Sequence, residues 1–410
     1  FDCGILQMTM LDPIFVELVG SALTSIVDEM GESLVRSSYS TNIKERRDCS
    51  TALFDREGSV LCQAEHIPMH LGSFLGVIPH IIRRYPSQEI RPGDVFIAND
   101  PYEGGATHLP DIVLAEPVFF DGVHIAWAVN TAHHADFADL GHKHIYQEGI
   151  RIPPVKLYRE GELQSDLQEM FLLNCQVPKE RLSDLKAQMS ANQLGVVRLQ
   201  SLCQKYGKDR VMAAGDALLD YAERKMRSGI EAIPDGTYSF TDTFDSNQIL
   251  EKMTFTLSLK VSGSCMSLKF DAPRQVRAGL NLVYTSLLAA CYYAVKSAVD
   301  PSILPNAGLA RALTIEAPEG SILNCRHPAA VEGRIAASQR VADIIHGALS
   351  QAIPDKVAAA GNGCCAATTF NGIRADGSIW VYLETIGGGG GARHLTGFLE
   401  QRPSGVRTHS

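Results

Sequence analysis

Residues 107–134 read THLPDIVLAEPVFFDGVHIAWAVNTAHH, and this stretch predicts the centre of the fold. Two apolar runs, Ile112–Phe119 and Val123–Val129, are joined through Asp121 and Gly122. An Asp-Gly pair between two such runs favours a two-residue β-turn, because both residues tolerate the positive φ angles that this turn needs. The stretch therefore predicts an antiparallel hairpin that reverses at residues 121–122.

The register of this hairpin brings polar side chains together at its open end. If the Asp-Gly pair occupies the centre of the turn, the facing pairs are Asp111 with Ala132, Pro110 with His133, and His108 with Ala135. Directly opposed side chains have Cβ atoms roughly 5 Å apart, and diagonal ones about 7–8 Å. We therefore expect His108, Asp111 and His133 to lie close to one another.

Two imidazoles and a carboxylate at one place predict a divalent-metal site with open coordination positions. Each residue alone is better explained by a turn at a strand start or by a histidine bonded to a backbone carbonyl, and only the set of three favours a metal. Pro110 excludes a helix interior, so His108 and Asp111 must approach each other through a turn. Zinc, manganese and iron all suit such ligands.

A fourth ligand has several candidates. Asp48 precedes a predicted strand beside two arginines, and ligation and an ion pair explain it equally well. His134 and Asp136 are the alternatives. Residues 66–70 (HIPMH) carry two histidines at helical spacing, but Pro68 interrupts that spacing, so we interpret them as ordinary loop histidines that could line the site.

Composition excludes several classes of protein. The 410 residues are 45% apolar and 20% charged, which is typical of a globular protein with two or three domains. A net charge of −9 without a basic block argues against nucleic acid or an anionic membrane as partner. No apolar stretch approaches the ~20 residues of a membrane span. Ten cysteines without a Cys-x-x-Cys pair, and no secretory signal, suit the cytoplasm.

Helical and strand patterns follow one another without a regular βαβ rhythm. This predicts an α+β (irregular mixed α/β), multi-domain fold with several mostly antiparallel sheets. Asp12 and Pro13 mark the start of a long N-terminal helix. The predicted domains are a metal-site domain over 1–160, a helical hairpin segment over 161–233 and a second α/β domain over 234–410. The chain begins with Phe1 and lacks a closing element, so we expect a fragment.

The remaining elements follow from periodicity and turn residues. Helices are predicted over 178–206, 209–230, 280–299 and 338–352, and strands over 50–55, 59–63, 93–98, 236–242, 253–261, 265–271, 366–370 and 379–384. The five glycines at 387–391 are interpreted as a tight structural loop, because the sequence has neither a P-loop nor a dinucleotide fingerprint. It also lacks a Gly-x-Ser-x-Gly elbow, so a serine hydrolase is not indicated.

Several motifs carry a family resemblance. They are Asn42–Asp48, His66–Ser73, Gly93–Ile97, Asn99–Tyr102, Gly105–Ile112, Ala132–Asp136, Glu148–Leu157, Pro234–Tyr238 and Glu384–Gly389. In these blocks, from about Leu11 onward, the chain resembles the hydantoinase B/oxoprolinase family. The resemblance implies a metal-carrying subunit of an ATP-dependent enzyme. It also implies that the family's metal ligands fall on His108, Asp111 and His133, with Asp48 matching an aspartate that some members have.

The same resemblance sets the expected activity. Relatives open cyclic amides (5-oxoproline, hydantoins, lactams) or carboxylate ketones such as acetone and acetophenone, while ATP and Mg²⁺ bind a hydantoinase A-like partner subunit with an actin-like fold. Our leading hypothesis is hydrolysis of a phosphorylated lactam by metal-activated water, with His134 or a nearby carboxylate carrying the proton. The alternatives are a ketone carboxylase subunit and a non-catalytic scaffold with a structural metal.

Overall fold

The computed structural model of the chain describes residues 11–64, 67–134, 141–361, 363, 366–386 and 391. Their helices are α1 (Pro13–Ser37), α2 (Thr41–Lys44), α3 (His70–Arg84), α4 (Ser165–Leu173), α5 (Pro178–Tyr206), α6 (Lys208–Glu231), α7 (Tyr284–Val299) and α8 (Ile335–Leu349). Their strands are β1 (Cys49–Asp55), β2 (Val60–Gln63), β3 (Val95–Ala98), β4 (Asp111–Phe120), β5 (Val123–His133), β6 (Val155–Arg159), β7 (Glu162–Leu163), β8 (Gly236–Phe244), β9 (Met253–Ser262), β10 (Cys265–Asp271), β11 (Leu313–Glu316), β12 (Ala366–Ile373) and β13 (Ile379–Ile386). The mixture of helices and several sheets confirms the predicted fold class.

The first sheet has seven strands in the order β2-β1-β5-β4-β3-β6-β7, and every neighbouring pair is antiparallel. The predicted hairpin is β4 and β5, at the centre of this sheet. Because neighbouring strands run in opposite directions, the start of β1, the end of β5 and the start of β4 lie at the same end of the strands. The candidate residues therefore belong to one end of the sheet.

The turn of the hairpin is as predicted, but its register is not. Asp121 and Gly122 both have positive φ, and Phe120 faces Val123 across the turn. Two residues after Val123 the register shifts, because Ile125 is an extra residue of β5 between the pairs Phe119–His124 and Val118–Ala126. The predicted pairing of Asp111 with Ala132 is therefore wrong: Asp111 faces His133 directly.

Alternation along β4 and β5 assigns their side chains to two faces. Val113 and Val129 pack with residues of α3, while Ile112 and Leu114 pack with Leu185 of α5. Since successive side chains of a strand point to opposite faces, His133 belongs to the α3 face and its neighbour His134 to the α5 face. The two adjacent histidines thus lie in different surroundings.

The second sheet has four strands in the order β11-β10-β9-β8; α8 packs on β8 and β9, and α7 packs on α8 in the same core. Helix α6 contributes to two cores: Val211 and Ala214 pack with α1 and the first sheet, whereas Met226 and Ile230 pack with the second. The segment that we predicted as a helical hairpin thus connects the two sheets through shared packing.

The first helix begins as the sequence predicts. Asp12 accepts a hydrogen bond from the backbone N–H of Ile14 at 3.0 Å, and Pro13 occupies the first helical position. None of the helices in the described residues is both long and apolar enough to cross a membrane. Seven cysteines fall within the described part of the chain, and none of these forms a disulfide.

Candidate metal centre

Three side chains meet at the end of the first sheet where β1 and β4 begin and β5 ends. Asp111 and His133 face each other across the hairpin, and His108 precedes β4. One potential ligand atom of each residue lies within 4.8 Å of the others, and Nδ1 of His108 is 3.0 Å from Oδ2 of Asp111. His108 and Asp111 are buried, whereas His133 is partly exposed. The structure therefore brings together the three residues that the hairpin argument selected.

The chain approaches this position through a turn that its own polar groups hold in place. Asn99 donates to the carbonyl oxygen of Leu109 at 2.9 Å, and the carbonyl oxygen of Pro110 accepts the backbone N–H of His134 at 2.8 Å. Thr107 Oγ1 donates to Oδ2 of Asp111 at 3.2 Å. These bonds fix the turn that carries His108 and Asp111.

An arginine from the second half of the chain reaches the same carboxylate. Arg334 precedes the first residue of α8, is buried, and donates from Nη2 to Oδ2 of Asp111 at 2.9 Å. Sequence reasoning missed this residue, because 223 positions separate it from Asp111 and no local motif marks it. The centre thus lies between the first sheet and α8.

His70 is also part of the centre. It is the first residue of α3, only 2% of it is exposed, and its Nε2 lies 3.4 Å from Oδ1 of Asp48 and 3.6 Å from Oδ1 of Asp111. Our interpretation of it as an ordinary loop histidine was wrong. Helix α3 begins at His70, two residues after the proline that we took to exclude a helix.

Asp48 lies beside His133. Its carbonyl oxygen accepts the backbone N–H of His133 at 3.0 Å, and its Oδ2 accepts from Asn42 Nδ2 at 3.3 Å. The same Asn42 nitrogen is 3.0 Å from Nδ1 of His133. Asp48 therefore adjoins the trio without being one of its three mutually close members, and its role as a fourth ligand stays a prediction.

The charges and the burial of the centre favour an ionised Asp111 and a neutral His108. Burial opposes ionisation of Asp111, but the neighbouring His108, His70 and Arg334 hold its pKa well below the usual range. Burial, aided by the charge of Arg334, lowers the pKa of His108 to about 3. An ionised carboxylate beside a neutral imidazole is the state in which these groups bind a divalent cation.

Two buried polar atoms give a direct test of fit for a metal. Oδ1 of Asp111 and Nδ1 of His108 have no hydrogen-bond partner of acceptable geometry among the described residues. Nδ1 of His108 is 3.0 Å from Oδ2 of Asp111 but is not aligned for a hydrogen bond, and His70 Nε2 approaches Oδ1 of Asp111 only to 3.6 Å. Leaving a buried polar atom unsatisfied costs roughly 1–3 kcal/mol, and a cation ligated by these groups would remove that cost. The donor set of two imidazoles and a carboxylate therefore fits a divalent metal such as zinc, manganese or iron.

The structure does not bring His134 into the trio. Its Nε2 lies 3.0 Å from Oε1 of Gln188 on α5, and its ring contacts Phe171. Burial and the charge of Arg181 lower its pKa to about 4. Its proposed role as proton carrier stays a prediction. Asp136, His66 and residues 387–390 of the glycine run lie outside the described residues.

The sequence profile of the hydantoinase B/oxoprolinase family matches residues 12–397. The chain belongs to this family. That confirms the resemblance found in its motifs. Among family members, the chain is 37% identical over 394 residues to an uncharacterised protein of Methanocaldococcus jannaschii. It is 32% identical over 408 residues to the B subunit of a putative D-/L-hydantoinase from a Pseudomonas species.

These alignments cover most of this chain but not all of its relatives. They include 93% and 94% of the chain and 68% of each relative, so the chain spans about two thirds of their length. The beta subunit of a caprolactamase from Pseudomonas jessenii is 32% identical over 362 residues, which are 86% of this chain and 62% of that relative.

Two solved structures have the same fold. The ATP-dependent caprolactamase of Pseudomonas jessenii superposes with a TM-score of 0.82 at 30% identity, over 92% of this chain and 66% of that one. An acetone carboxylase superposes with a TM-score of 0.85 at 16% identity, over 96% of this chain and 56% of that one. At that identity the second likeness shows the fold alone.

Proposed function

We propose that this chain is the metal-carrying subunit of an ATP-dependent enzyme that hydrolyses a cyclic amide such as a lactam, a hydantoin or 5-oxoproline. The observation that carries the proposal is the cluster of His108, Asp111 and His133 with ligand atoms within 4.8 Å of one another. It occurs in a chain whose relatives include the B subunit of a hydantoinase and the beta subunit of a caprolactamase.

The residues of the centre have distinct tasks in this proposal. His108, Asp111 and His133 would hold the cation, with Asp48 as the candidate fourth ligand. A divalent cation there would lower the pKa of a bound water molecule toward ~7 and polarise a substrate oxygen. Hydrogen bonds from Thr107 and Arg334 to Oδ2 of Asp111 fix the carboxylate.

In this proposal, ATP binds to a partner subunit and not to this chain. A resonance-stabilised lactam is a poor electrophile, and transfer of the γ-phosphoryl group of ATP to its oxygen would make the ring carbon open to attack by water. The ring C–N bond would then break with a proton delivered to the nitrogen, and hydrolysis of the resulting acyl phosphate would release phosphate and leave the carboxylate. This sequence has no P-loop. We therefore place nucleotide binding on a hydantoinase A-like subunit with an actin-like fold, consistent with relatives that are themselves named as subunits.

The proposal is tested with the two subunits co-expressed. The complex should open at least one member of a panel of lactams, hydantoins and 5-oxoproline while consuming ATP. His133→Ala should lose bound metal and turnover because it removes one ligand, whereas the partner should still bind nucleotide. The matched control is His80→Ala, because His80 lies on α3 with its Nδ1 2.8 Å from the carbonyl oxygen of Gly76, outside the centre.

Two results would contradict the proposal. Retained turnover with stoichiometric metal in His133→Ala would dismiss the assigned site. Incorporation of labelled bicarbonate into an acid product would identify a ketone carboxylase instead of a hydrolase.

A further inference from the structure

We infer that His70 is a positioning residue that holds the carboxylates of Asp48 and Asp111 in place on either side of His133. The inference rests on the proposed function, since it concerns the same cation-binding centre. It assigns a role to a residue that touches both acids of the centre and is not one of the three close ligand candidates.

Asp48 and Asp111 need a third side chain to fix their relative position, because their strands are not paired with each other. Asp48 precedes β1, Asp111 begins β4, and β5 runs between these strands. Neighbouring strands lie about 4.8 Å apart, so the two backbones are separated by roughly 10 Å. Their like charges repel each other across the end of β5. His70 comes from α3, outside the sheet, and its Nε2 lies 3.4 Å from one carboxylate and 3.6 Å from the other.

The two nearby carboxylates indicate that Nε2 of His70 carries an N–H. Ser50 Oγ accepts the backbone N–H of Ile67 at 3.4 Å and lies 2.9 Å from Nδ1 of His70. Because a hydroxyl has one hydrogen and two lone pairs, Ser50 can either donate to Nδ1 or accept from it. Nε2 lies 3.4 Å from Asp48 and 3.6 Å from Asp111, and a lone pair there would face two negative charges. Nε2 therefore carries an N–H that faces Asp48 and Asp111.

The backbone of α3 leaves His70 little freedom to move. The Cα of Gly72 packs so closely that a Cβ there would lie 2.7 Å from Cγ2 of Thr107 and 2.9 Å from the carbonyl oxygen of Thr285. The start of the helix is thus fixed against the turn that leads to His108. A donor held this firmly behind metal-binding carboxylates orients them, and removal of such a partner typically weakens metal affinity 10–100-fold.

The test measures Co²⁺ binding by the full chain, using chelator competition for affinity and the visible absorption of bound Co²⁺ for geometry. His70→Leu removes the N–H and should weaken affinity 10–100-fold. His70→Gln places an amide N–H near the position of Nε2 and should restore most of the affinity with an unchanged cobalt spectrum. His80→Leu, a histidine of the same helix outside the centre, should bind as the unmodified chain does.

Further outcomes decide the inference. Unmodified affinity in His70→Leu would overturn it. So would a His70→Gln variant as weak as His70→Leu with an altered spectrum, because that would make His70 a ligand. Should His70→Leu fail to fold, His70→Asn takes its place in the test. The shorter amide of asparagine reaches only the position of Nδ1, so this variant should bind Co²⁺ weakly. Co²⁺ affinity equal to that of the unmodified chain would overturn the inference. An unmodified chain that binds no Co²⁺ would refute the proposed function itself before any variant is compared.

Discussion

Glu148 and Glu332 are two buried acids that support the segment leading to Arg334. Oε1 of Glu148 accepts the backbone N–H groups of Val331 and Glu332, and Oε1 of Glu332 accepts that of His142 at 2.9 Å. Burial, together with the hydrogen bond and charge of Glu332, raises the pKa of Glu148 to about 9. A protonated Glu148 thus avoids charge repulsion with Glu332, and its bonds to residues 331 and 332 help to hold the start of α8 near Asp111.

The proton on Glu148 makes the stability of the fold depend on pH. The folded-state pKa of Glu148 lies above its ordinary value of 4.5, so the protonated form is favoured in the folded chain. Its contribution is complete below about pH 4.5 and is lost as pH rises through about 9. We expect Glu148→Gln, which keeps a neutral side chain of the same shape, to flatten this decline. Urea denaturation at several pH values measures it, and an equally steep decline in the variant would contradict the assignment.

Residue chemistry identified only part of the centre. His108, Asp111 and His133 could be predicted because a local turn brings them together within one hairpin. Arg334 and His70 could not, because each reaches the centre through tertiary packing of a helix whose own sequence gives no sign of the contact. Pro68 also argued against a helix near His70, although a proline before a helix start is compatible with one.

At the scale of elements, local rules were reliable where one or two residues decide the geometry. The Asp121-Gly122 turn and α5, which begins at Pro178 and ends before Gly207, are as predicted. The bulge at Ile125 was not, because an alternating apolar pattern does not show where an extra residue leaves the ladder. That bulge places His133 directly opposite Asp111.

The geometry of the centre depends on the close packing of α3 against the turn before His108. A Cβ at Gly76 would overlap the carbonyl oxygen of Gly105, and neither backbone can yield easily. Gly76→Ala should therefore destabilise the chain by about 1–3 kcal/mol and weaken Co²⁺ binding, because His70 and His108 are displaced. Urea denaturation and Co²⁺ titration measure the two effects.

A second helical glycine supplies the control. A Cβ at Gly215 of α6 would meet only the flexible side chain of Leu61, 3.2 Å away. Gly215→Ala should leave Co²⁺ binding unchanged and should not destabilise the chain, because alanine favours a helix interior by about 0.8–1.0 kcal/mol over glycine. Equal Co²⁺ affinity in Gly76→Ala and Gly215→Ala would refute the packing argument.

For the whole molecule, the centre joins parts that are distant in sequence. Its ligand candidates come from the first sheet and Arg334 comes from the second half, while α6 contributes to both cores. The prediction of separate segments did not include this shared packing, because periodicity shows which face of a helix is apolar but not which sheet covers it. A bound cation should therefore stabilise the chain as a unit.

Removal of the metal measures that coupling. Binding at a concentration 100-fold above the dissociation constant stabilises a folded protein by about 2.7 kcal/mol. A chelator should thus lower the Tm of the unmodified chain and leave that of His133→Ala unchanged. Equal shifts in both proteins would show that the stabilising metal binds elsewhere.

The central claim is that His108, Asp111 and His133 hold one divalent cation. Anomalous diffraction at the metal absorption edge, from crystals of the metal-loaded chain, tests it most directly. We predict one anomalous peak about 2.0–2.2 Å from a side-chain nitrogen or oxygen of each of the three residues. A metal-loaded crystal with no peak there, or with its peak on other side chains, would contradict the claim.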